Sequence, residues 1–184
     1  MVLVGAACVL FCFLYTTLLA QHGMGDVLVL LFFGLVPVCL TYYVTMPPAS
    51  QMITAQVVWA SLACGLVIDT LLVVNNYRDY DQDLAVGKKT LIVRMGRERA
   101  EQLYGWLGNI ATYMMWGCLV LGDSSFVLML VCFACFVPYA LLHGATRVQM
   151  RRIGRGRELN KVLGMTARNM FVFGVTTAIG TLFI

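Results

Sequence analysis

Long apolar runs dominate the sequence, and they constrain the fold more than any other feature. Six runs reach the ~20 residues that a helix needs to cross a bilayer. They cover 2–20, 27–45, 51–74, 102–121, 125–146 and 168–184. Only 12% of the residues are charged, against about 25% in soluble domains. Because lipid cannot satisfy open backbone groups, we predict an all-α fold. It is a polytopic transmembrane helix bundle of about six spans, forming one domain over residues 1–184.

The basic residues predict the orientation of these helices. All 13 Lys and Arg residues fall in two polar segments, 78–99 and 147–168. With six spans, the first, third and fifth linkers lie on one side, and positive charge marks that side as cytoplasmic. We therefore expect an integral protein of the cytoplasmic (inner) membrane, surrounded by membrane lipid, with both termini outside. No basic patch with interleaved aromatics lies on a soluble surface, which argues against a nucleic-acid partner.

A dense polar cluster at 75–91 interrupts the apolar pattern. Asp79 and Asp83 are four residues apart, so on a helix their side chains lie on one face, one turn apart. Asn75 and Asn76 precede Asp79 by four and three residues and share that side. Carboxylate and amide oxygens are hard ligands suited to Mg²⁺. The pattern predicts a magnesium site at a membrane surface.

Basic side chains accompany these acids and predict the ligand that the metal would carry. Arg78, Lys88 and Lys89 are close enough in sequence to hold the negative charge of a phosphate group. A Mg²⁺–diphosphate site is the resulting hypothesis. The alternative is a solvated linker with ordinary helix-capping acids, which the elaborate spacing disfavours. Asp81 points away from the other two acids on a helix and is a secondary candidate.

Other polar residues within or beside the spans have weaker claims to function. Asp69 lies inside a span, where an acid is a functional hypothesis by default, here as a cavity residue. The alternative is a carboxyl group satisfied against a neighbouring helix. His22 and His143 are interpreted as structural. The basic run 147–157 is interpreted as a positive-inside signal that contacts anionic lipid, with steering of a diphosphate as the alternative.

The polar cluster also carries a family resemblance. Residues 75–96 have the pattern Asn-Asn-x-Arg-Asp-x-x-x-Asp-x-x-x-Gly-Lys-x-Thr-Leu-x-Val-Arg-x-Gly. This pattern resembles the second aspartate-rich motif of the UbiA superfamily of intramembrane prenyltransferases. Within that superfamily, the match is closest to enzymes that prenylate 1,4-dihydroxy-2-naphthoate. The segments 23–26, 32–34 and 15–16 are also similar to that subfamily.

This resemblance implies a fold and an activity. Members are bundles of nine spans in which two Asp-rich motifs hold Mg²⁺ on a polyprenyl diphosphate. The implied reaction transfers the polyprenyl group to 1,4-dihydroxy-2-naphthoate with decarboxylation, forming demethylmenaquinone for menaquinone biosynthesis. Asp79 and Asp83 would be the catalytic metal ligands, and Asn75 and Asn76 would ligate the metal or orient those ligands. Diphosphate contacts would come from Arg78 and Lys88. Tyr15, with Asp69, is a candidate for the substrate cavity.

One large departure from the family pattern shapes the expectation. The first motif, of the Asn-Asp-x-x-Asp type, is absent, so the six spans correspond to the last six of nine. The uncharged start of the chain separately suggests an odd number of spans upstream. We expect these residues alone to be inactive. Three alternatives remain open: another UbiA-type aromatic prenyltransferase, a transporter or channel subunit using the intramembrane acids, and a non-catalytic membrane partner.

Overall fold

The computed structural model describes residues 5–6, 9–10, 23–48, 51–120 and 125–182, and no strand occurs among them. Its helices are α1 (Gly25–Thr45), α2 (Ala55–Arg78), α3 (Tyr80–Ala85), α4 (Leu91–Met95), α5 (Arg97–Val120), α6 (Phe126–Ile153) and α7 (Leu159–Thr181). The predicted all-helical, polytopic architecture is confirmed. Most of the predicted first span lies outside the described residues, as do Tyr15 and His22.

Four of the described helices are long and apolar enough to cross a membrane: α1, α2, α6 and α7. They correspond to the second, third, fifth and sixth predicted spans. The predicted fourth span is helix α5, whose 24 residues have the required length. It falls short of the apolarity of the other four, because charged residues occupy its first turns and because Asn109 and several glycine and aromatic residues lower the hydropathy of the rest.

The observed helix ends differ from the predicted ones mainly at the polar end of the bundle. Helix α2 starts four residues later than predicted, where the Thr54 hydroxyl accepts from the Val57 N–H at 3.4 Å. Helix α6 continues to Ile153 and α7 begins at Leu159, so the predicted fifth linker 147–167 shrinks to five residues. The apolar runs identified only the part of each helix that is apolar on all sides. A helix can continue beyond that part when one of its faces is buried, as Leu159 and Val162 are in α7.

Helix α2 lies at the centre of the bundle and packs against α1, α5 and α7, while α6 packs against α5 and α7. Buried side chains form two clusters along this axis. One, at the polar end, contains Val73, Val74, Tyr77, Ile92, Ala100, Tyr104, Leu107, Met150, Leu159 and Val162. The other contains Ala63, Val67, Ala111, Met115, Leu119, Cys132, Phe136, Tyr139 and Phe173. The first cluster fixes the end of α2, where the acidic segment begins.

The described parts of the three polar linkers meet at one end of the bundle. Gly23, before α1, lies so close to the segment before α4 that a Cβ there would be 2.5 Å from the Lys89 carbonyl oxygen. Arg97 donates to the carbonyls of both Tyr77 and Gly154, at 2.9 and 2.8 Å, and so joins α2 to the α6–α7 turn. This shared end was predicted from the positions of the basic residues.

Candidate functional site

The acidic segment after α2 keeps a helical course through a local break. The Asp79 N–H donates to the Asn75 carbonyl at 3.1 Å, and the Asp83 N–H donates to the Asp79 carbonyl at 2.9 Å. Asp79 itself leaves helical geometry, with φ −88° and ψ 5°, and α3 begins at the next residue. A turn containing Gly87 (φ 71°) then brings the Lys88 N–H to the Asp83 carbonyl at 2.9 Å. The two aspartates are therefore one turn apart along the backbone, as their spacing predicted.

Each predicted metal-binding carboxylate is paired with a predicted phosphate-binding base. Arg78 donates two hydrogen bonds to the Asp79 carboxylate, from Nε to Oδ1 at 2.7 Å and from Nη2 to Oδ2 at 2.8 Å. Lys88 Nζ reaches the carboxylate of Asp83 at 3.2 Å to Oδ1 and 3.4 Å to Oδ2. Asp83 is buried, whereas about a third of the Lys88 side chain is exposed. Charge-assisted pairs of this kind hold both carboxylates in place.

Two amide side chains position the guanidinium of Arg78. Its Nη2 donates to Asn75 Oδ1 at 2.9 Å, and its Nη1 donates to Asn160 Oδ1 at 3.0 Å. The structure thus brings three predicted residues, Asn75, Arg78 and Asp79, into one network. Asn76 is buried at the same turn of α2 and takes no part in these bonds. Asn160 begins α7 and is 82 residues away from Arg78, so no local sequence pattern could have identified it.

A cavity of about 390 Å³ opens beside this network. It is lined by Arg78, Asp79, Asp81, Gln82, Gly156, Arg157 and Asn160. The cavity therefore lies between the acidic segment and the short α6–α7 turn. Arg157 is exposed and adds a second cation to a lining that contains two carboxylates. The sequence had placed Arg157 in a basic run without showing that it faces the acidic segment.

A second arginine fixes the outer side of the acidic segment. Arg97 Nη2 binds Asp81 Oδ2 at 3.0 Å, and its guanidinium carbon lies 4.8 Å from the ring centres of both Tyr77 and Tyr80. With its two carbonyl contacts, Arg97 joins α2, α3 and the α6–α7 turn. From sequence it was counted only as a positive-inside charge. Asp81 makes this contact and also lines the cavity with Asp79, so it is not set apart from Asp79 as the helical spacing predicted, whereas Asp83 is not among the lining residues.

The remaining candidates lie away from these contacts. Asp69 is 2% exposed and sits ten residues before Asp79 on α2. Its Oδ1 has no hydrogen-bond partner among the described residues. The alternative, in which a neighbouring helix satisfies the hydrogen-bonding capacity of the Asp69 carboxyl group, is therefore wrong for its Oδ1 atom. His143 packs in the bundle interior, stacked on Tyr104 with ring centres 4.4 Å apart, which agrees with a structural role.

The carboxylate and amide oxygens of the acidic segment are of the kind that Mg²⁺ binds. Mg²⁺ commonly takes one or two protein carboxylates and completes its shell with water and substrate phosphates. Asp79 and Asp83 would supply such carboxylates and Asn75 an amide oxygen, and in this structure each of these groups bonds to a basic side chain. The described residues contain no group of three or more His, Cys, Asp or Glu side chains that could hold a metal without such help.

Comparison with known proteins gives a consistent set of matches. The profile of the UbiA prenyltransferase family matches residues 1–161. A 1,4-dihydroxy-2-naphthoate octaprenyltransferase of Mycobacterium tuberculosis is 34% identical over 183 residues, covering 97% of this chain and 58% of the relative. The Escherichia coli protein of that name is 34% identical over 119 residues, covering 65% of this chain and 32% of the relative.

A plant protein extends the range of relatives. The chloroplastic 2-carboxy-1,4-naphthoquinone phytyltransferase of Arabidopsis thaliana is 27% identical over 124 residues, covering 65% of this chain and 31% of that protein. In these matches, the aligned part of the chain spans between about a third and about three-fifths of the relatives' length. No solved structure gives a significant match.

Proposed function

The chain belongs to the UbiA prenyltransferase family, and from this premise we propose the following activity. The protein to which it belongs transfers a polyprenyl group from a polyprenyl diphosphate to 1,4-dihydroxy-2-naphthoate. The ring carboxylate leaves as CO₂, and the product is a demethylmenaquinol, the reduced form of a demethylmenaquinone. The acceptor is proposed because relatives along the chain are named as prenyltransferases of this naphthoate.

One observation carries the proposal: the Arg78–Asp79 pair lines a cavity that also contains Arg157, and a second carboxylate–base pair, Lys88–Asp83, lies one backbone turn further along the chain. A diphosphate has several negative oxygens, and Arg78 and Arg157 offer two cations to them from the cavity lining, with Lys88 as a third cation outside that lining. The pairs give these bases a defined starting position. When a diphosphate binds, Arg78 and Lys88 can each exchange a carboxylate oxygen for a phosphate oxygen, which keeps both cations compensated.

Magnesium, when held by Asp79 and Asp83, would offset the negative charge that develops on the leaving diphosphate. Asn75 would orient this arrangement through its bond to Arg78. Asn160 extends the support from α7, since it fixes the other end of the same guanidinium. We propose that Lys88, within the turn after α3, contacts the diphosphate from the side of Asp83.

The proposed reaction balances without an added oxidant or reductant. The allylic C–O bond of the donor breaks, and its electron pair leaves with the diphosphate. The ring carbon that bears the carboxylate forms the new C–C bond. CO₂ then departs, and the electron pair of its bond to the ring restores the aromatic system. Positioning and electrostatics carry such a step, so few covalent roles are required of the protein.

The membrane setting suits a lipid-tailed donor. Four helices of the described chain are long and apolar enough to span a bilayer, and the acidic segment lies at one end of this bundle. We propose that this end faces the cytoplasm in the inner membrane, since both basic segments converge there. The prenyl chain would then extend from the polar end into the apolar part of the bundle.

The test is an assay of the full-length protein in membranes or detergent. The reaction contains a labelled polyprenyl diphosphate, 1,4-dihydroxy-2-naphthoate and Mg²⁺, and the lipid product is identified by mass spectrometry. We expect a decarboxylated, prenylated naphthoate that requires both substrates. Transfer only to a different aromatic acceptor would replace the proposed substrate. No transfer to any aromatic acceptor, with cation transport into vesicles, would favour the transporter alternative.

A further inference from the structure

Two acidic side chains are buried in the bundle apart from the diphosphate site. Asp26 lies in the first turn of α1 and is 8% exposed, and Asp69 lies in α2 and is 2% exposed. The Oδ1 atom of each is fully buried and has no hydrogen-bond partner among the described residues. A buried carboxylate oxygen without a donor is costly, so these two atoms require an explanation.

The packing of α1 on α2 brings the two acids together. A Cβ on Gly34 would lie 2.7 Å from the Ser61 carbonyl oxygen and 2.8 Å from the Cα of Gly65. A Cβ on Gly65 would in turn lie 3.2 Å from the Cα of Leu30. Leu30 is four residues before Gly34 in α1, and its contact Gly65 is four residues after Ser61 in α2. This opposite progression is expected for antiparallel helices in close contact.

This register predicts the next contact of the series. Asp26 is four residues before Leu30, and Asp69 is four residues after Gly65. Four residues correspond to about 6 Å along either helix, so one more turn places these acids opposite each other. The close approach at the glycines leaves little room between the helix axes for anything larger than the side chains themselves.

Within the described ranges, no basic side chain donates to the buried Oδ1 atom of either acid. Arg94 lies near the start of α1, where its guanidinium carbon would be 3.5 Å from a Cβ on Gly23. Further along α2, Arg78 is held by Asp79, Asn75 and Asn160. The hydroxyl of Thr70, beside Asp69, donates instead to the Val67 carbonyl.

We propose that Asp26 and Asp69 hold one proton between them, as a carboxylic acid–carboxylate pair that joins α1 to α2. Two like charges at close range in a low-dielectric interior cannot both persist without a counter-charge. A shared proton halves the charge of the pair and gives an oxygen of one carboxyl group a donor from the other. The pair then titrates as a unit.

The geometry favours a proton over a metal ion. Mg²⁺ requires about six oxygen ligands, and it gives up its water reluctantly. The two acids belong to no group of three or more His, Cys, Asp or Glu side chains among the described residues, and their Oδ1 atoms are closed to water. A proton needs only the two oxygens that are present.

The pair links two parts of the protein that serve the site. Asp69 is on the helix that ends at the acidic segment, and Asp26 follows Gly23, which packs against the Lys89 carbonyl. Loss of the proton would leave two charges repelling across the α1–α2 contact. The inference concerns protonation alone, so its test does not depend on prenyl transfer.

Infrared spectroscopy of the purified full-length protein, at neutral pH in choline buffer, tests this pair. Wild-type protein should show a carbonyl stretching band of a protonated carboxyl group. The Asp26→Asn/Asp69→Asn double variant should lack this band, while the exposed-site control Glu158→Gln should keep it. Each single variant should also shift or weaken the band, so the test can be made with any one of these variants that folds.

Three results would overturn the proposal. The first is the absence of a protonated-carboxyl band in wild-type protein. The second is an unchanged band in the folded variants, which would place the proton elsewhere. The third is loss of the wild-type band when Na⁺ or Mg²⁺ replaces choline, because a metal ion would then occupy the pair.

Discussion

At the scale of single residues, the guanidinium of Arg78 organises the acidic segment. It binds both oxygens of Asp79 and is itself held from α2 by Asn75 and from α7 by Asn160. A side chain fixed at three points loses little further freedom when it binds a ligand, which favours binding of a planar or tetrahedral anion. Asn160 is thus a positioning residue, and its neighbour Arg157 is the more direct candidate for diphosphate contact.

Arg157 and Arg155 form a matched pair for testing this assignment. Both are exposed basic residues of the α6–α7 turn, but only Arg157 lines the cavity beside Asp79. We expect Arg157→Ala to raise the KM for the polyprenyl diphosphate about tenfold, equivalent to ~1.4 kcal/mol. Arg155→Ala should change it less than about twofold, within ~0.4 kcal/mol. Steady-state kinetics measure both, and equal effects would mean that only net charge matters.

The residues of the site were predictable to different degrees. The spacing of Asn75, Asp79 and Asp83 predicted backbone positions one turn apart, but Asp79 departs from helical geometry, and of these two acids only Asp79 lines the cavity. The pairing of Arg78 and Lys88 with those same acids was not predicted, since a basic residue near an acidic motif can bind either a carboxylate or a phosphate. Contacts from Asn160 and Arg157 arise from tertiary packing of a distant turn, which spacing cannot reveal.

At the scale of helices, small residues determine how closely the elements approach. Gly108 of α5 faces His143 of α6, and a Cβ on Gly108 would overlap the imidazole ring. Tyr104, one turn earlier, stacks on the same ring, and its backbone carbonyl accepts a hydrogen bond from His143 Nε2 at 3.0 Å. The α5–α6 contact is thus built around a histidine that only glycine can accommodate at that distance.

Alanine substitutions in α5 provide a test with an internal control. Gly108→Ala should destabilise the protein by about 1–3 kcal/mol, because the ring and its stacking partner must shift. Gly117→Ala lies on the same helix with no atom within 4 Å of the added Cβ. It should be neutral or stabilising by up to ~1 kcal/mol. Thermal unfolding in detergent compares the two, and equal stabilities would refute the proposed α5–α6 contact.

Helix existence was easier to predict than helix ends. Apolar runs identified α1, α2, α5, α6 and α7, yet α7 begins nine residues before its predicted start. The early turns of α7 bury Leu159, Val162 and Thr166 while Asn160 and Lys161 remain exposed. A helical segment that is polar on one face has no continuous apolar run, so it is not predicted as a membrane span. The same reason explains why the basic end of α6 was assigned to a linker.

At the scale of the whole molecule, the described linkers converge on one end of the bundle. Gly23 meets the α3–α4 segment, and Arg97 connects that region to the α6–α7 turn. Predicting this convergence needed only the number of spans and the distribution of charge. Which side of the membrane this end faces depends on the charge rule alone and remains a prediction.

Single cysteines can report that orientation. In a background without the natural cysteines, Glu158→Cys lies at the polar end and Met52→Cys lies in the exposed segment before α2, near the opposite end. We expect a membrane-impermeant thiol reagent to label Glu158→Cys only in inverted vesicles and Met52→Cys only in right-side-out ones. Labelling of the two positions from the same side, or with the sides exchanged, would refute the predicted topology.

The central claim is that the acidic segment holds a metal-bound diphosphate, and the most direct measurement is Mg²⁺-dependent prenyl transfer by three variants of the full-length protein. Asp79→Asn and Asp83→Asn should each lower turnover by about two to three orders of magnitude, the usual cost of losing one charge-stabilising group. Asp81 also lines the cavity, but its carboxylate is largely exposed and binds Arg97, so Asp81→Asn should stay within about tenfold of wild type, a cost below ~1.4 kcal/mol. Unchanged turnover in Asp79→Asn and Asp83→Asn would contradict the account.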